Sequence, residues 1–229
     1  KSTTQNTTQT ELIKAQKELE TVINILISVT ESNFNAIRAL GLRYLQNQMY
    51  NFAIEQFNKA LLIKPNDADI YYYRGLAYSY NAKTKPDDAN KAEIDFKTAL
   101  NIQPDNYLIH YSLALLYYYN FNDKKTGLEY MLKAFQFSKE QAKKDYKPAA
   151  MLAKMYYDNN DYKNSIDYYK LAIERVESNS EIKAKLLSNI GSIYLNRFND
   201  KMQAKEFLTQ AYKLNPKHPE INALWNQVK

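Results

Sequence analysis

The chain has 229 residues, of which 45% are hydrophobic and 24% charged, and its formal net charge is +6. It contains no cysteine, which excludes disulfide bonds, thiolate zinc sites and a thiol nucleophile. Lys and Arg form no dense cluster, so the basic balance does not favour nucleic-acid binding, and no apolar run reaches the roughly 18 residues that a membrane-spanning helix needs.

The first ten residues are polar and of low complexity. Residues 1–10 are mostly Ser, Thr, Gln and Asn, a composition that buries too little apolar surface to offset the entropy of ordering. They predict a flexible tether. The chain starts at Lys1 without a Met, and this start favours an exported or lipid-anchored protein of a bacterial cell envelope over a cytoplasmic protein. A truncated sequence explains the same start.

Residues 11–33 predict an N-terminal capping helix. Its apolar stripe repeats every seven residues, with a second position three residues later: Leu12, Leu19, Leu26, Ala15, Val22 and Val29. The stripe within residues 11–31 covers fewer than three heptads, which is short for a coiled coil. Three interpretations remain open. The helix covers the apolar end of the first repeat, it pairs with a second copy of the chain, or it occupies the protein's own groove.

A pattern of small residues recurs five times between residues 34 and 216. Two small residues lie seven apart in each occurrence: Ala53/Ala60, Ala92/Ala99, Gly127/Ala134, Ser165/Ala172 and Ala204/Ala211. A tyrosine three residues after a small residue precedes each pair: Gly41/Tyr44, Gly75/Tyr78, Ala114/Tyr117, Ala153/Tyr156 and Gly191/Tyr194. Small side chains at these spacings share a helix face and let a second helix pack closely.

This pattern resembles the tetratricopeptide repeat, a helix-turn-helix unit of about 34 residues. The resemblance implies an all-α solenoid, a right-handed superhelix of about five helical hairpins in which each repeat packs on its neighbours. The repeats are predicted at 34–67, 68–106, 107–145, 146–183 and 184–216. A C-terminal capping helix is predicted within 217–229, where Ile221, Leu224 and Trp225 would cover the last repeat.

Prolines and polar segments predict where helices end. Proline cannot continue helical bonding, so three of the second helices are expected to stop near Pro65, Pro104 and Pro216. The second repeat contains a polar insertion at residues 81–88, predicted to be a surface loop. In the third repeat the apolar pattern continues to Ala142, which predicts an overlong second helix. The dipeptide Lys147-Pro148 then starts the next repeat.

The sequence predicts no catalytic site, no cofactor and no metal site. The two histidines, His110 and His218, lie in different repeats and have no nearby partner for a nucleophile–base pair. His110 is expected to pack inside its hairpin. Every glycine is assigned to a helix crossing, so no glycine-rich phosphate loop remains. Residues 158–161 predict a turn between helices, because they lack the Gly and terminal Glu of a calcium loop.

The family resemblance implies that the first helices of the repeats line an inner groove where partner segments bind. The residues predicted to contact a partner there are tyrosines and basic residues: Arg38, Tyr72, Tyr73, Tyr80, Tyr111, Tyr118, Tyr119, Lys147, Lys154 and Tyr157. Tyrosine combines a large apolar ring with a hydroxyl, and basic side chains steer acidic or carboxylate-bearing segments. The carboxylate clamp of some family members is not carried over, because Leu42 and Tyr73 replace its asparagines.

The sequence therefore predicts a non-enzymatic adaptor that binds an extended or helical segment of another protein in a tyrosine-rich concave groove. Two alternatives remain open. One is a structural element that oligomerises through the N-terminal helix or the end repeats. The other is an accessory subunit of an envelope complex that binds a small ligand and presents it to a partner.

Overall fold

The structure is a computed structural model that describes the backbone of residues 2–229 and the side chains of residues 18, 21, 22 and 25–229. Within these residues it contains eleven α-helices, one π-helical turn and no strand. The predicted all-α class is confirmed, whereas the hand of a superhelix stays a prediction. The chain divides into two compact units, Lys1–Ile102 and Gln103–Lys229. No described helix is long and apolar enough to cross a membrane.

Four helices form the first unit: α1 (Ser2–Gln46), α2 (Tyr50–Ile63), α3 (Ala68–Asn81) and α4 (Asp88–Ile102). Helix α2 packs on both α1 and α3, and α3 packs on α4. Their core includes the fully buried rings and aliphatic side chains of Phe34, Phe57 and Ile70. Helix α2 ends two residues before Pro65, as predicted, and Asp67 then caps α3 by accepting a hydrogen bond from the Ile70 amide at 3.0 Å.

Helix α1 is longer than the sequence predicted. It runs without interruption from Ser2 to Gln46, so the segments predicted as a tether, a separate capping helix and the first repeat helix belong to one helix; Lys1 lies outside the described residues. No proline occurs in this stretch, and its polar residues disfavour a helix only weakly. Every described side chain before Phe34 is exposed, and Phe34 is the first that is buried. The helix therefore enters the core only at Phe34.

The insertion between α3 and α4 is anchored at both ends. Residues 83–87 are exposed, as the sequence predicted, but Asn81 and Asp88 are buried. The Asn81 amide donates hydrogen bonds to Asp88 Oδ2 at 2.7 Å and to Asn51 Oδ1 at 3.2 Å, and Lys91 Nζ pairs with Asp88 Oδ1 at 2.7 Å. The prediction of a surface loop is therefore right for its middle and wrong for its ends, where buried polar groups bond to each other.

A buried ion pair connects three helices of the first unit. The Arg74 guanidinium donates to both carboxylate oxygens of Asp95, at 2.8 and 2.7 Å, and to Asn58 Oδ1 at 2.6 Å. Asp95 is only 2% exposed. Because a bidentate pair of this kind satisfies two groups at once, removal of either partner would leave an uncompensated charge inside the unit.

Seven α-helices and a π-helical turn form the second unit: α5 (Tyr107–Leu115), the π-helical turn (Leu116–Asn120), α6 (Lys124–Gln141), α7 (Lys147–Asp158), α8 (Tyr162–Arg175), α9 (Ser180–Asn196), α10 (Lys201–Leu214) and α11 (Pro219–Asn226). Consecutive helices pack on each other, and α11 packs on α9 and α10. Helix α6 has 18 residues against 14 in α8 and α10, so it is overlong as predicted. In α11, Ile221 is buried against Ala184, Leu187 and Ala211.

The small residues predicted at helix crossings lie where helices approach most closely. All eight alanines of the second-helix pattern are fully buried: Ala53, Ala60, Ala92, Ala99, Ala134, Ala172, Ala204 and Ala211. A Cβ atom added to Gly75 would lie 2.8 Å from the Phe96 ring, and one added to Gly191 would lie 2.5 Å from Leu208 Cγ. These positions leave no room for larger side chains.

The turns between paired helices use a repeated polar signal. Asn122, Asn160 and Asn199 have φ angles of 54°, 60° and 51°, in the left-handed region that Asn tolerates better than most residues. Each is followed by an aspartate that caps the next helix through its side chain: Asp123, Asp161 and Asp200. Residues 158–161 therefore end α7 and start α8, as the sequence predicted.

His110 packs inside its hairpin, as the sequence predicted. Its ring lies 5.2 Å from the Phe137 ring, and its Nε2 atom lies 2.8 Å from the Pro104 carbonyl oxygen. Burial lowers the pKa of this imidazole, and the Pro104 carbonyl only partly opposes the effect. The residue is a packed part of the core.

We expect Ala99→Leu to lower the free energy of unfolding by about 1–3 kcal/mol, because the added atoms would force α4 away from α3. Ala36→Leu, on an exposed position of α1, is the matched control and should change stability by less than about 0.5 kcal/mol. Urea unfolding followed by circular dichroism measures both. Equal stabilities for the two variants would contradict the packing described for α3 and α4.

Candidate functional site

Two neighbouring cavities form a groove on the second unit. The larger, of about 310 Å³, is lined by Tyr111, Tyr146, Lys147, Ala150, Met151, Lys154, Tyr169, Leu186 and Asn189. The smaller, of about 200 Å³, is lined by Tyr157, Tyr169, Asn189, Ser192 and Ile193. Tyr169 and Asn189 line both, so the cavities are adjacent. We call these residues the α5–α7–α9 groove.

Helical spacing places these side chains in the groove. On α7 the lining residues Lys147, Met151 and Lys154 follow each other at intervals of four and three, so they share one helix face. The opposite face of α7 is buried through Ala149, Leu152 and Ala153. The first helices of three successive repeats thus turn one face to the core and the other to the groove.

The floor of the groove is polar but uncharged. Tyr169 is buried, and the Asn189 side chain lines the same two cavities. Burial raises the pKa of Tyr169 to about 12, although the Asn189 side chain partly opposes this shift. The phenol therefore stays protonated at neutral pH. Together the phenol and the amide offer both donors and acceptors to a polar group.

A charged cluster lies at the end of α7 beside the groove. Lys154 Nζ donates to Asp158 Oδ2 at 2.7 Å, and the Tyr118 hydroxyl donates to the same oxygen at 2.6 Å. Desolvation opposes ionisation of Asp158, but the bonds from Lys154 and Tyr118 outweigh it and lower the pKa of this carboxyl. Burial and the bond to Asp158 raise the pKa of Tyr118. Asp158 is thus ionised and Tyr118 neutral at physiological pH.

Tyr118 does not offer the accessible ring that the sequence predicted. It is 5% exposed, whereas the adjacent Tyr119 is 56% exposed. Both residues belong to the π-helical turn at residues 116–120, in which the Phe121 amide bonds to the Leu116 carbonyl five residues back. A π-helical turn adds a residue to the helical turn and so changes which side chains face the core. Tyr118 therefore supports α7 through Asp158.

Arg197 is a neighbour of the groove that sequence reasoning missed. Its guanidinium donates to the Tyr157 hydroxyl at 2.8 and 3.2 Å and lies over the rings of Tyr157 and Tyr162, 5.3 Å from each centroid. These contacts orient the half-buried Tyr157 at the smaller cavity. Arg197 follows α9 in the turn before α10, a position that the repeat pattern does not mark.

The structure brings together four of the residues predicted to bind a partner: Tyr111, Lys147, Lys154 and Tyr157 line the α5–α7–α9 groove. Tyr119 lies beside it, since its hydroxyl is 3.9 Å from Met151 Sδ. The remaining four predicted residues, apart from Tyr118, belong to the first unit.

In the first unit, Tyr72 and Tyr73 are half-buried neighbours whose ring centroids are 5.4 Å apart, and Tyr73 lies 6.1 Å from the core ring of Phe57. Tyr80 is 46% exposed and stacks on Tyr50 at 5.5 Å. Arg38 is half-buried on α1. The packing of Tyr73 on Phe57 indicates a part in the hairpin core.

Models of known protein families match segments in both units of the chain. A family model described as "TPR repeat" matches residues 29–80, and one described as "Tetratricopeptide repeat" matches residues 146–176 and 184–218. The matched segments span about half of the chain and occur in both units. The chain therefore belongs to the tetratricopeptide repeat family. Among curated proteins, no sequence matches the chain.

Solved structures share the fold at low sequence identity. YrrB, described as "a TPR protein with an unusual peptide-binding site", is 17% identical, with a TM-score of 0.60 over 82% of this chain and 89% of YrrB. MamA from Desulfovibrio magneticus RS-1 is 18% identical, with a TM-score of 0.64 over 82% of this chain and 97% of MamA. Yeast Tom70 is 23% identical, with a TM-score of 0.54 over 77% of this chain and 35% of Tom70. These similarities show the fold alone.

We expect Tyr118→Phe to lower the free energy of unfolding by about 1–2 kcal/mol at neutral pH, because it removes a hydrogen bond to an ionised and partly solvated carboxylate. The pKa of Asp158 is lowered in the folded state, so this contribution is present above the unfolded carboxyl pKa of about 3.9. It is lost as the pH falls through the lower, folded pKa. Urea unfolding across this pH range measures the effect.

Tyr119→Phe is the matched control for Tyr118→Phe, because it removes a hydroxyl from the adjacent but exposed ring. It should change stability by less than about 0.5 kcal/mol at every pH. Equal losses in the two variants, or a loss for Tyr118→Phe that persists in acid, would contradict the bond between Tyr118 and Asp158.

Proposed function

We propose that the protein is a non-enzymatic adaptor that docks a segment of another protein into the α5–α7–α9 groove. The observation that carries the proposal is the pair of adjacent cavities, in which a phenol and an amide form the floor and lysines form the rim. Proteins of the tetratricopeptide repeat family are in general interaction scaffolds, which supports an adaptor function. The peptide-binding site of YrrB supports a peptide as the occupant.

The lining suits an extended segment with acidic side chains. Met151 and Leu186 supply apolar contact area, and the Tyr169 hydroxyl and the Asn189 amide can bond to backbone groups of a peptide. Lys147 is exposed at the rim, and Lys154 forms an ion pair with Asp158. The net charge of +6 adds a long-range attraction for an acidic partner. Extension of the binding surface onto Arg38, Tyr72, Tyr73 and Tyr80 stays a prediction.

The proposal is tested with peptides selected from a random library on the purified chain, and with their affinities measured by fluorescence anisotropy. We expect Asn189→Ala to weaken binding about tenfold, which corresponds to about 1.4 kcal/mol, because a peptide group that bonds to the amide loses its partner. Asn101→Ala, at an exposed helical position of the first unit, is the control and should bind like the parent. Equal affinities for parent and Asn189→Ala would place the peptide site outside the groove.

Charge at the rim gives a second, independent test. Lys147→Glu should weaken binding of acidic peptides at low salt and much less at about 1 M salt, where the screening length falls to about 3 Å. Lys205→Glu changes the net charge by the same amount on an exposed face of α10, and we expect it to have a smaller effect. If the two variants behave alike, only the overall charge of the protein attracts the peptide.

A further inference from the structure

The amino-terminal part of α1 carries an apolar surface that no described residue of its own unit covers. Val22, Ile25, Leu26, Ile27 and Val29 are between 52 and 60% exposed. Removing an aliphatic side chain of this size from water stabilises a protein by about 1.5–3 kcal/mol. A contiguous group of such side chains on a soluble protein marks an interaction surface.

Four of these residues form one stripe. Val22, Ile25, Leu26 and Val29 are related by steps of three, four and seven, so they lie on the same helix face. We call them the α1 seam. Ile27 points roughly 150° away from the middle of the seam, since successive residues turn by about 100°. The sequence continues the seam register through Leu19, Ala15 and Leu12, with the 3.5-residue repeat of helices that pair side by side.

The helix that carries the seam is held at one end by the folded unit. Because α1 is continuous and Phe34 is buried in the core, the costly first turn of the helix is already formed where it leaves the unit. A partner therefore needs to supply only lateral packing along the seam. The seam register covers residues 12–29, roughly 27 Å at 1.5 Å per residue.

The charges of this segment argue against a membrane surface as the partner. Residues 11–31 contain four glutamates and two lysines, whereas helices that lie on membranes have a polar face rich in Lys and Arg. A partner that packs side chains into the seam must itself present an apolar repeat of 3.5 residues. Helix α1 of a second copy presents that repeat.

We propose that copies of this chain associate with each other through the α1 seam. In the sequence the seam register alternates leucine with a smaller apolar residue, which is the repeat by which two such helices pair side by side. Because the seam is shorter than three heptads, the association depends on protein concentration.

The test is sedimentation equilibrium of the 229-residue chain over a wide range of concentration. We expect the mass to rise from that of the 26.8 kDa monomer towards at least twice that value. Leu26→Glu should abolish the rise, because it places a charge in the seam. Ile27→Glu introduces the same charge at a similarly exposed position outside the seam and should leave the rise intact. Both positions are exposed, so circular dichroism should show unchanged folding of the repeats.

Two results overturn the proposal. One is a monomer mass at every concentration, which would indicate that the seam binds a helix of a different protein. The other is an equal loss of association in Leu26→Glu and Ile27→Glu, which indicates unspecific apolar contact. Asn189→Ala should associate like the parent, because Asn189 lies in the groove and not in the seam. The proposal for the seam and the proposal for the peptide groove can therefore be contradicted independently of each other.

Discussion

The close approach of neighbouring helices at small residues is the constraint on which the rest of the structure depends. Side chains at a helix contact set the distance between the axes, which is about 8–10 Å when they pack well. At Gly191 the Leu208 side chain already fills the space where a Cβ atom would lie. In the second unit the second helices thus hold one face of each first helix, and residues of α5, α7 and α9 line the two cavities.

Polar side chains at the groove already form hydrogen bonds or ion pairs within the protein before a partner binds. Tyr157 accepts bonds from Arg197, and Lys154 is paired with Asp158. A ligand that breaks these bonds must replace them, so mismatched ligands leave buried polar groups unpaired. This arrangement favours selectivity over raw affinity, because preorganised polar groups penalise the wrong partner more than they reward the right one.

Much of the fold could be predicted from the sequence because its signals are local. Small residues seven apart mark helix contacts, and Pro65 and Asp67 mark the end of one helix and the start of the next. The π-helical turn at residues 116–120 has no such signal: its sequence is a run of aromatic residues compatible with a regular helix. Both Tyr118 and Tyr119 were predicted to contact a partner, but only Tyr119 presents an exposed ring.

Other features depend on contacts between residues distant in the sequence. Arg197 reaches Tyr157 across 40 positions, and Asn81 bonds to Asn51 across 30, so repeat spacing predicts neither bond. The continuity of α1 was missed for a different reason. A polar composition predicts a tether, although Ser, Thr and Asn lower helix propensity by only a few tenths of a kcal/mol each, and a helix already formed in the core can extend through them.

The two proposed surfaces differ in chemistry in a way that suits different partners. The α1 seam is aliphatic and matches a helix of the same repeat, whereas the groove has a polar floor and a basic rim that match a peptide. If both proposals hold, each associated pair of chains presents two grooves. A partner with two suitable segments would then bind the second segment at the effective concentration set by its linker, which raises the overall affinity without any new contact. Self-association through α1 would in this way convert a modest peptide site into a selective receptor for repeated or clustered segments.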